Sequence, residues 1–423
     1  MQLKKKGPIR AALATATCTL LGVTSIASAA TNLDGWQLDG AFLLYTEANR
    51  ITVVEPVING KKDFGGDRFL NLRLMLDAVS GASPNGASPS DQPQTFTSPS
   101  GVMTYTVNEG DAPVHPHFKD TRLALSAAWD QPITRITKGN IGLNFSKEND
   151  FQSLGTGVGI AQDLFSRNTT LTLSISTEAN TINPTGGIPT HMTNMIPPGQ
   201  VASFEAQQSR DVQDGLIGLT QIISRHAIMQ LNYSYGKTNG YQNDPYKLIS
   251  IVDRTTGKPI RYVYENRPEL RIRESLLWQG RYHFATNVAG LAYRYYWDDW
   301  GVVSNTVDIT YQIMFGEKDF IEPHIRLYHQ SATNFYRHSL VYESDASRYP
   351  EFASADYRLG DMDGITVGVK FNTDMFLKKD ASIRLEYYRQ SGNSHPADAI
   401  GVQKDMDMFP TIHAFIVQIL VTY

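Results

Sequence analysis

From Trp36 onward, apolar and polar residues alternate in runs of about ten, and turn-forming residues separate the runs. Leu70, Leu72, Leu74 and Leu76 take one parity, and Asn71, Arg73, Met75 and Asp77 take the other. The pattern returns at Leu171, Leu173 and Ile175, at Val307, Ile309, Tyr311 and Ile313, and at Ile365, Val367, Val369 and Phe371. Successive strand residues point to opposite faces, so each run predicts a strand with one uniformly apolar face. In the C-terminal run, Phe415, Val417, Ile419, Val421 and Tyr423 share one parity, with Gln418 and Thr422 on the other. Alternating strands of this length cross a bilayer as a barrel, and a last strand ending on an aromatic suits the one that closes it.

The runs predict about sixteen strands. They begin near Trp36, Arg50, Asp67, Thr121, Lys138, Asp150, Thr169 and Asp214, then near His226, Glu269, Asn287, Val302, Asp319, Gly364, Ala381 and Thr411. Long connections (81–119, 178–212, 237–268, 331–362 and 391–410) all follow odd-numbered strands, and those after even-numbered strands are short. A soluble sandwich or propeller has no reason to segregate its loops by parity. The expected fold is therefore all-β: one transmembrane, antiparallel, up-and-down β-barrel over 30–423, with short periplasmic turns and long extracellular loops. Trp36, Trp129 and Tyr423 then fall at the periplasmic rim, and Tyr295 and Trp297 at the outer one, where amphipathic rings straddle lipid and water. Trp278, mid-strand, is expected to face lipid.

The first residues change the compartment. Lys4, Lys5, Lys6 and Arg10 precede a short apolar core, Ala11 to Val23, and Ala27-Ser28-Ala29 gives a small-residue cleavage site. This is a secretory signal over 1–29, and with the barrel it predicts the outer membrane of a Gram-negative bacterium. The one cysteine, Cys18, leaves with the signal. The mature chain then has no disulfide, no cysteine-ligated zinc or iron–sulfur site and no covalently attached c-type haem, and no cofactor is expected. The net charge of -4 becomes about -8 when the four basic signal residues are lost, which argues against nucleic acid.

If the apolar parity faces lipid, the other parity lines a lumen. Its basic members are Arg73, Arg122, Arg271, Arg273, Arg281, Arg294, Arg326, Lys370 and Arg384. Its acidic ones are Asp77, Asp298, Asp308, Glu322 and Glu386, with His283 and His324. Basic groups exceed acidic ones in this set, which favours an anionic solute in an open pore. The competing reading pairs these charges across strands and fills the interior.

The first long loop opens on Gly81-Ala82-Ser83-Pro84-Asn85-Gly86. Turn formers and small side chains there suit a loop folded into the lumen, and equally a surface loop. Asp361-Met362-Asp363-Gly364 and His115-Pro116-His117 lack further ligands at metal-site spacing, so no metal site is assigned. Asn168-Thr169-Thr170 matches a glycosylation sequon but falls in a periplasmic turn.

Several strings together carry a family resemblance. They are Asp77 to Gly86, Arg167-Asn168-Thr169-Thr170-Leu171, Tyr293 to Gly301, and Gln330-Ser331-Ala332 with Phe335-Tyr336. The chain resembles the bacterial family catalogued as domain of unknown function 3570 over nearly its whole mature length. The resemblance implies an outer-membrane barrel without an established activity, and loosely a neighbourhood of flavin-transfer and redox proteins. Three functions stay open. One is a channel or binding transporter for small polar solutes. Another is a structural sleeve or docking partner for a surface or redox (flavin or cytochrome) assembly. The third is a rim-located hydrolase built on His329 and Ser331, which lacks an evident orienting acid. No catalytic constellation is convincing, so an enzyme is not expected. The expected partners are outer-membrane lipid and, through the last strand, the barrel-assembly machinery.

Overall fold

The computed structural model describes residues 35–97, 103–197, 200, 205–316, 319–373 and 381–422. The signal segment (1–29) and Tyr423 lie outside the described residues. The chain opens with β1 (Trp36–Glu47), β2 (Ile51–Asp63) and β3 (Phe69–Pro84). A short hairpin, β4 (Gln94–Thr97) and β5 (Thr104–Val107), precedes β6 (Val114–Pro132), β7 (Thr137–Lys147), β8 (Phe151–Leu164) and β9 (Thr169–Ile182). Next come β10 (Gln208–Ser224) and β11 (Ala227–Gly240), then two loop strands, β12 (Leu248–Val252) and β13 (Pro259–Tyr264). The second half holds β14 (Leu270–His283), β15 (Val288–Asp298), β16 (Val303–Met314) and β17 (Phe320–Gln330). After the loop strand β18 (Leu340–Val341) the chain ends with β19 (Met362–Thr373), β20 (Ala381–Gly392) and β21 (Ile412–Thr422).

All but β4, β5, β12, β13 and β18 form one closed, sixteen-stranded antiparallel barrel. The last strand closes it on the first, with Leu44 opposite Val417 and Phe42 opposite Ile419. Closure matters because an unpaired strand edge in hydrocarbon leaves backbone groups with no partner. The strands start within a few residues of expectation except β6 and β10, which begin earlier, at Val114 and Gln208. There the apolar alternation stops but the pairing does not, as Ser83 opposite His115 and Arg210 opposite Gly240 illustrate. The outward residues at that height no longer need to be greasy, so the pattern ends before the strand does. The long loops are correspondingly shorter than expected: 85–113, 183–207, 241–269, 331–361 and 393–411.

The two parities separate as expected. Leu72, Leu74 and Leu76 are exposed on the outside, whereas Asp77 is 2 % exposed. Phe415 and Ile419 face outward on the closing strand. Aromatic pairs mark the belts. Phe64 and Trp129 lie 5.3 Å apart and Tyr282 and Phe284 4.8 Å apart at the turn end, and Tyr295 and Trp297 5.3 Å apart at the loop end. Glu274, on the outward parity, accepts hydrogen bonds from the Tyr233 hydroxyl (2.5 Å) and from Trp297 Nε1 (2.7 Å). A carboxylate on a lipid-facing row is tolerable only near the interface with such donors.

The long loops fold together into a cap. A β13-β12-β18 sheet packs Ile249, Ile251, Val263 and Leu340 with Ala353 and Ala355. The β4–β5 hairpin adds Phe96 and Val107 against Leu248 and Tyr264. Trp300, Phe335 and Leu359 make a third cluster. Backbone hydrogen bonds tie one loop to the next, among them Leu248 N to Asn85 O (2.8 Å), Met195 N to Tyr262 O (2.8 Å) and Val402 N to Thr256 O (2.9 Å). A barrel wall that is polar inside and lipid-facing outside has no apolar core of its own, so the apolar core sits largely in the cap. The exception is Tyr45, Ile51, Val53, Val79 and Ala414, which fill the loop end of the lumen on the side of β1 to β3.

Candidate functional site: a capped chamber

Below the cap the barrel encloses a chamber of about 2190 Å³. Its lining runs from Asp67, Gln131 and Lys138 at the turn end to Asn85, Tyr246, Lys247, Asp356 and Arg358 under the cap. The turn-end connections are short, seven residues at most, and the cap lies over the other end.

The loop opening on Gly81 is neither a free surface loop nor an isolated plug. Gly81 to Pro84 finish β3, where the pairing register shifts between Gly81 and Ser83. Ser83, Asn85, Ala87 and Ser88 are buried. The Ser88 amide donates to Ser250 Oγ (2.9 Å), and Ser88 Oγ donates to the His338 carbonyl (2.7 Å). Gly86 has φ +94°, and a Cβ there would sit 2.7 Å from the Leu248 carbonyl oxygen. Only glycine accepts both that backbone and that approach.

The chamber's roof is ionic. Arg267 Nη2 lies 2.8 Å from Glu265 and 2.9 Å from Asp356. Arg358 pairs with Asp356 and, at 3.1 Å, with Asp244. Lys247 Nζ donates to the Pro84 carbonyl. Burial alone would raise the Asp356 carboxyl, but Arg358, Lys247 and Arg267 together hold it well below the usual carboxylate range. Sequence reasoning missed this cluster because its members come from separate loops, each a lone charge without spacing.

On the wall, most of the predicted inward charges are paired. Arg122 lies 3.7 Å from Asp77, and Arg73 and Arg122 both approach the Met75 sulfur (3.8 and 3.9 Å). Arg271 binds Asp298 through Nε (2.9 Å) and stacks over Trp300 at 4.3 Å. His324 bridges Glu386 (2.7 Å) and Asp308 (3.1 Å), and Asp308 also accepts from Arg326 (2.8 Å). Arg384 reaches Glu322 (3.1 Å) and Glu386 (3.4 Å). Lys370 lies over the Phe320 ring at 5.3 Å. Arg294 lines the chamber with no carboxylate in ion-pair reach among the described residues. Arg281 and His283 are exposed at the turn end, outside the chamber lining. The expected excess of inward arginine is absent, because Asp39, Asp120, Asp130, Glu178 and Asp214 also line the chamber. These acids were missed where alternation was broken by glycines or lay above the apolar belt.

Met362, Asp363 and Gly364 open β19, and Asp363 meets His329 Nδ1 at 2.8 Å. That supplies the acid His329 lacked in sequence. Ser331 Oγ, however, accepts from the Val303 amide (2.8 Å) and donates to the Gly301 carbonyl (3.2 Å). A nucleophile needs that proton directed at the imidazole. Asp120, Glu148 and Asp150 bring carboxylate oxygens within 4.8 Å of one another at the loop end of the chamber.

No curated protein matches the chain. Several solved barrels are similar in shape. CdiB from Acinetobacter baumannii is 6 % identical at TM-score 0.47, with 92 % of this chain and 60 % of that one covered. A mutant ferric enterobactin receptor from Pseudomonas aeruginosa is 9 % identical at TM-score 0.43, with 93 % and 61 % covered. A loop-deletion mutant of OmpT, an outer membrane protein of Vibrio cholerae, is 9 % identical at TM-score 0.38, with 92 % and 98 % covered. This chain thus spans about three fifths of the first two. A family model matches residues 10–422, and the chain belongs to the family described as protein of unknown function (DUF3570).

Proposed function

We propose that this protein is an outer-membrane barrel that holds and passes small polar solutes, with the cap as its gate. The observation that carries this is the 2190 Å³ chamber, its wall set with cross-strand charged pairs and its roof made of folded loops. Its charges are mostly neutralised across strands, which suits water and small hydrophilic solutes more than one ion class. A roof made of buried ion pairs between loops is a two-state element: it opens only as a unit, because each unpaired charge is costly. The signal sequence delivers the chain for export. The closing strand engages the assembly machinery, and the apolar belt meets outer-membrane lipid. The hydroxyl beside the rim pair His329–Asp363 is spent on backbone, which supports a role without catalysis.

Planar-bilayer recording tests the reading. Wild-type protein should show rare or small openings, and the cap variant Asp356→Asn should conduct more and for longer. Silence from both, with heat-modifiable folded protein in the bilayer, overturns passage. It would favour the sleeve reading, in which a surface or redox partner occupies the turn-end mouth.

A further inference from the structure

The wall of β8 to β14 just below the cap carries polar atoms that the protein does not use. Arg210, Thr238 and Arg273 point inward from β10, β11 and β14 and line the chamber. Arg210 Nε, Thr238 Oγ1, Arg273 Nε and Arg273 Nη2 are all buried without a hydrogen-bond partner. Arg273 has one ion-pair contact, to Asp214 at 3.6 Å, too long for a hydrogen bond. Arg210 stacks on Phe151 at 5.4 Å and has no carboxylate in reach among the described residues. Arg210 pairs in register with Gly240 and Arg273 with Gly236, and Thr238 lies between those two glycines on β11.

The backbone makes room for this arrangement. Asp214, Gly236 and Arg273 are register partners across three strands. A Cβ at Gly236 would lie 2.5 Å from Asp214 Oδ1 and 3.2 Å from Arg273 Nη2. Glycine there lets both side chains fold across β11 into the chamber. Glu178, another acid of this wall, accepts a hydrogen bond from Ser153 Oγ at 3.1 Å.

The unspent groups are three N–H donors and a hydroxyl. A buried donor without a partner is costly, so the wall favours a guest rich in acceptors. We infer that Arg210, Thr238 and Arg273 form a subsite for a small oxyanion, a phosphate or a carboxylate, on the inner wall beneath the cap. Two arginine forks suit the planar or tetrahedral oxygens of such a group, and the Thr238 hydroxyl adds a neutral donor. The lumen as a whole is charge-balanced, so the affinity is local rather than a property of the pore's field. This deepens the solute-chamber reading and rests on it.

Equilibrium dialysis of the full-length folded barrel in detergent tests it, with labelled inorganic phosphate in one arm and labelled succinate in the other. Wild-type protein should bind at least one anion saturably, and the arm that responds tells phosphate from carboxylate. Arg210→Gln and Arg273→Gln should each weaken binding about tenfold or more, the worth of a charge-assisted hydrogen bond. Arg389→Gln, an exposed cation on the outward face of β20, should leave binding unchanged. Among the described residues Arg210 makes no ion pair, so its loss strands no carboxylate there and its variant should still fold. The inference is overturned if neither anion binds saturably, if both chamber variants bind like wild type, or if Arg389→Gln weakens binding equally. Conductance is read separately: a conducting barrel that binds neither anion sinks the subsite and leaves the chamber reading standing. Binding without conductance does the reverse.

Discussion

The guanidinium of Arg267 lies 2.9 Å from the carboxylate of Asp356, joining two loops whose residues stand 89 positions apart in the chain. Both groups are almost wholly buried, so neither can turn to water if the other is lost. Asp356→Asn leaves Arg267 and Arg358 short of a counter-charge and should destabilise the closed cap by about 3–5 kcal/mol. Limited proteolysis of intact cells or proteoliposomes should then cut the loops at 241–269 and 331–361 faster, while the barrel band survives. Wild-type cleavage rates would mean that the cap does not depend on this pair.

Acid should loosen the cap through a histidine before it reaches the Asp356 carboxylate. Burial holds His338 below its ordinary value, with Asp398 opposing and Arg337 reinforcing the shift. A base lowered on folding contributes stability that is full above its unfolded pKa of about 6.5 and lost as pH falls through the lowered folded value. Asp356 is a depressed carboxylate, so its contribution is lost only in much stronger acid. Protection factors of the cap amides should therefore fall as pH drops below about 6.5, and His338→Gln should flatten that step. A step of unchanged size in the variant would assign it elsewhere.

Leu74 faces lipid, and Met75 faces the lumen between Arg73 and Arg122. Arginine at Leu74 should cost about 2–4 kcal/mol near the midplane. Glutamate at Met75 enters water beside two guanidiniums and should cost less than about 1 kcal/mol, as ion pairs on wet surfaces do. Urea unfolding in lipid vesicles compares the two. Equal penalties would contradict the orientation of β3.

Arg271 and Arg294 sit on neighbouring strands but should behave differently. Arg271 pairs with Asp298, whose side chain has no exposed surface, so Arg271→Gln should destabilise the barrel by about 3 kcal/mol or more. Arg294 has no such partner, so Arg294→Gln should fold normally and shift the reversal potential modestly toward cations. That shift should shrink in high salt, as screening shortens the field. A folded barrel whose selectivity ignores Arg294 would show that the chamber wall does not set it.

The sequence alone determined the barrel: strand number, the outward face of each regularly alternating strand, the loop segregation and the closure of the last strand on the first. It could do so because a bilayer imposes a local rule. Each residue of a spanning strand meets either lipid or lumen, so two-residue alternation and ten-residue spacing are written into the chain without reference to any distant partner. Leu72 faces outward for a reason visible in its immediate neighbours. The cap and the chamber obey no such rule. Gly86 against Leu248, Arg267 against Asp356 and Asp363 against His329 are contacts between segments brought together only by barrel closure. Their side chains are ordinary loop or strand residues until the eight loop-end connections meet above one mouth. The charge balance of the lumen has the same origin. Whether an inward arginine is a free cation or half of a neutral pair depends on a residue one or two strands away, and cross-strand register decides that.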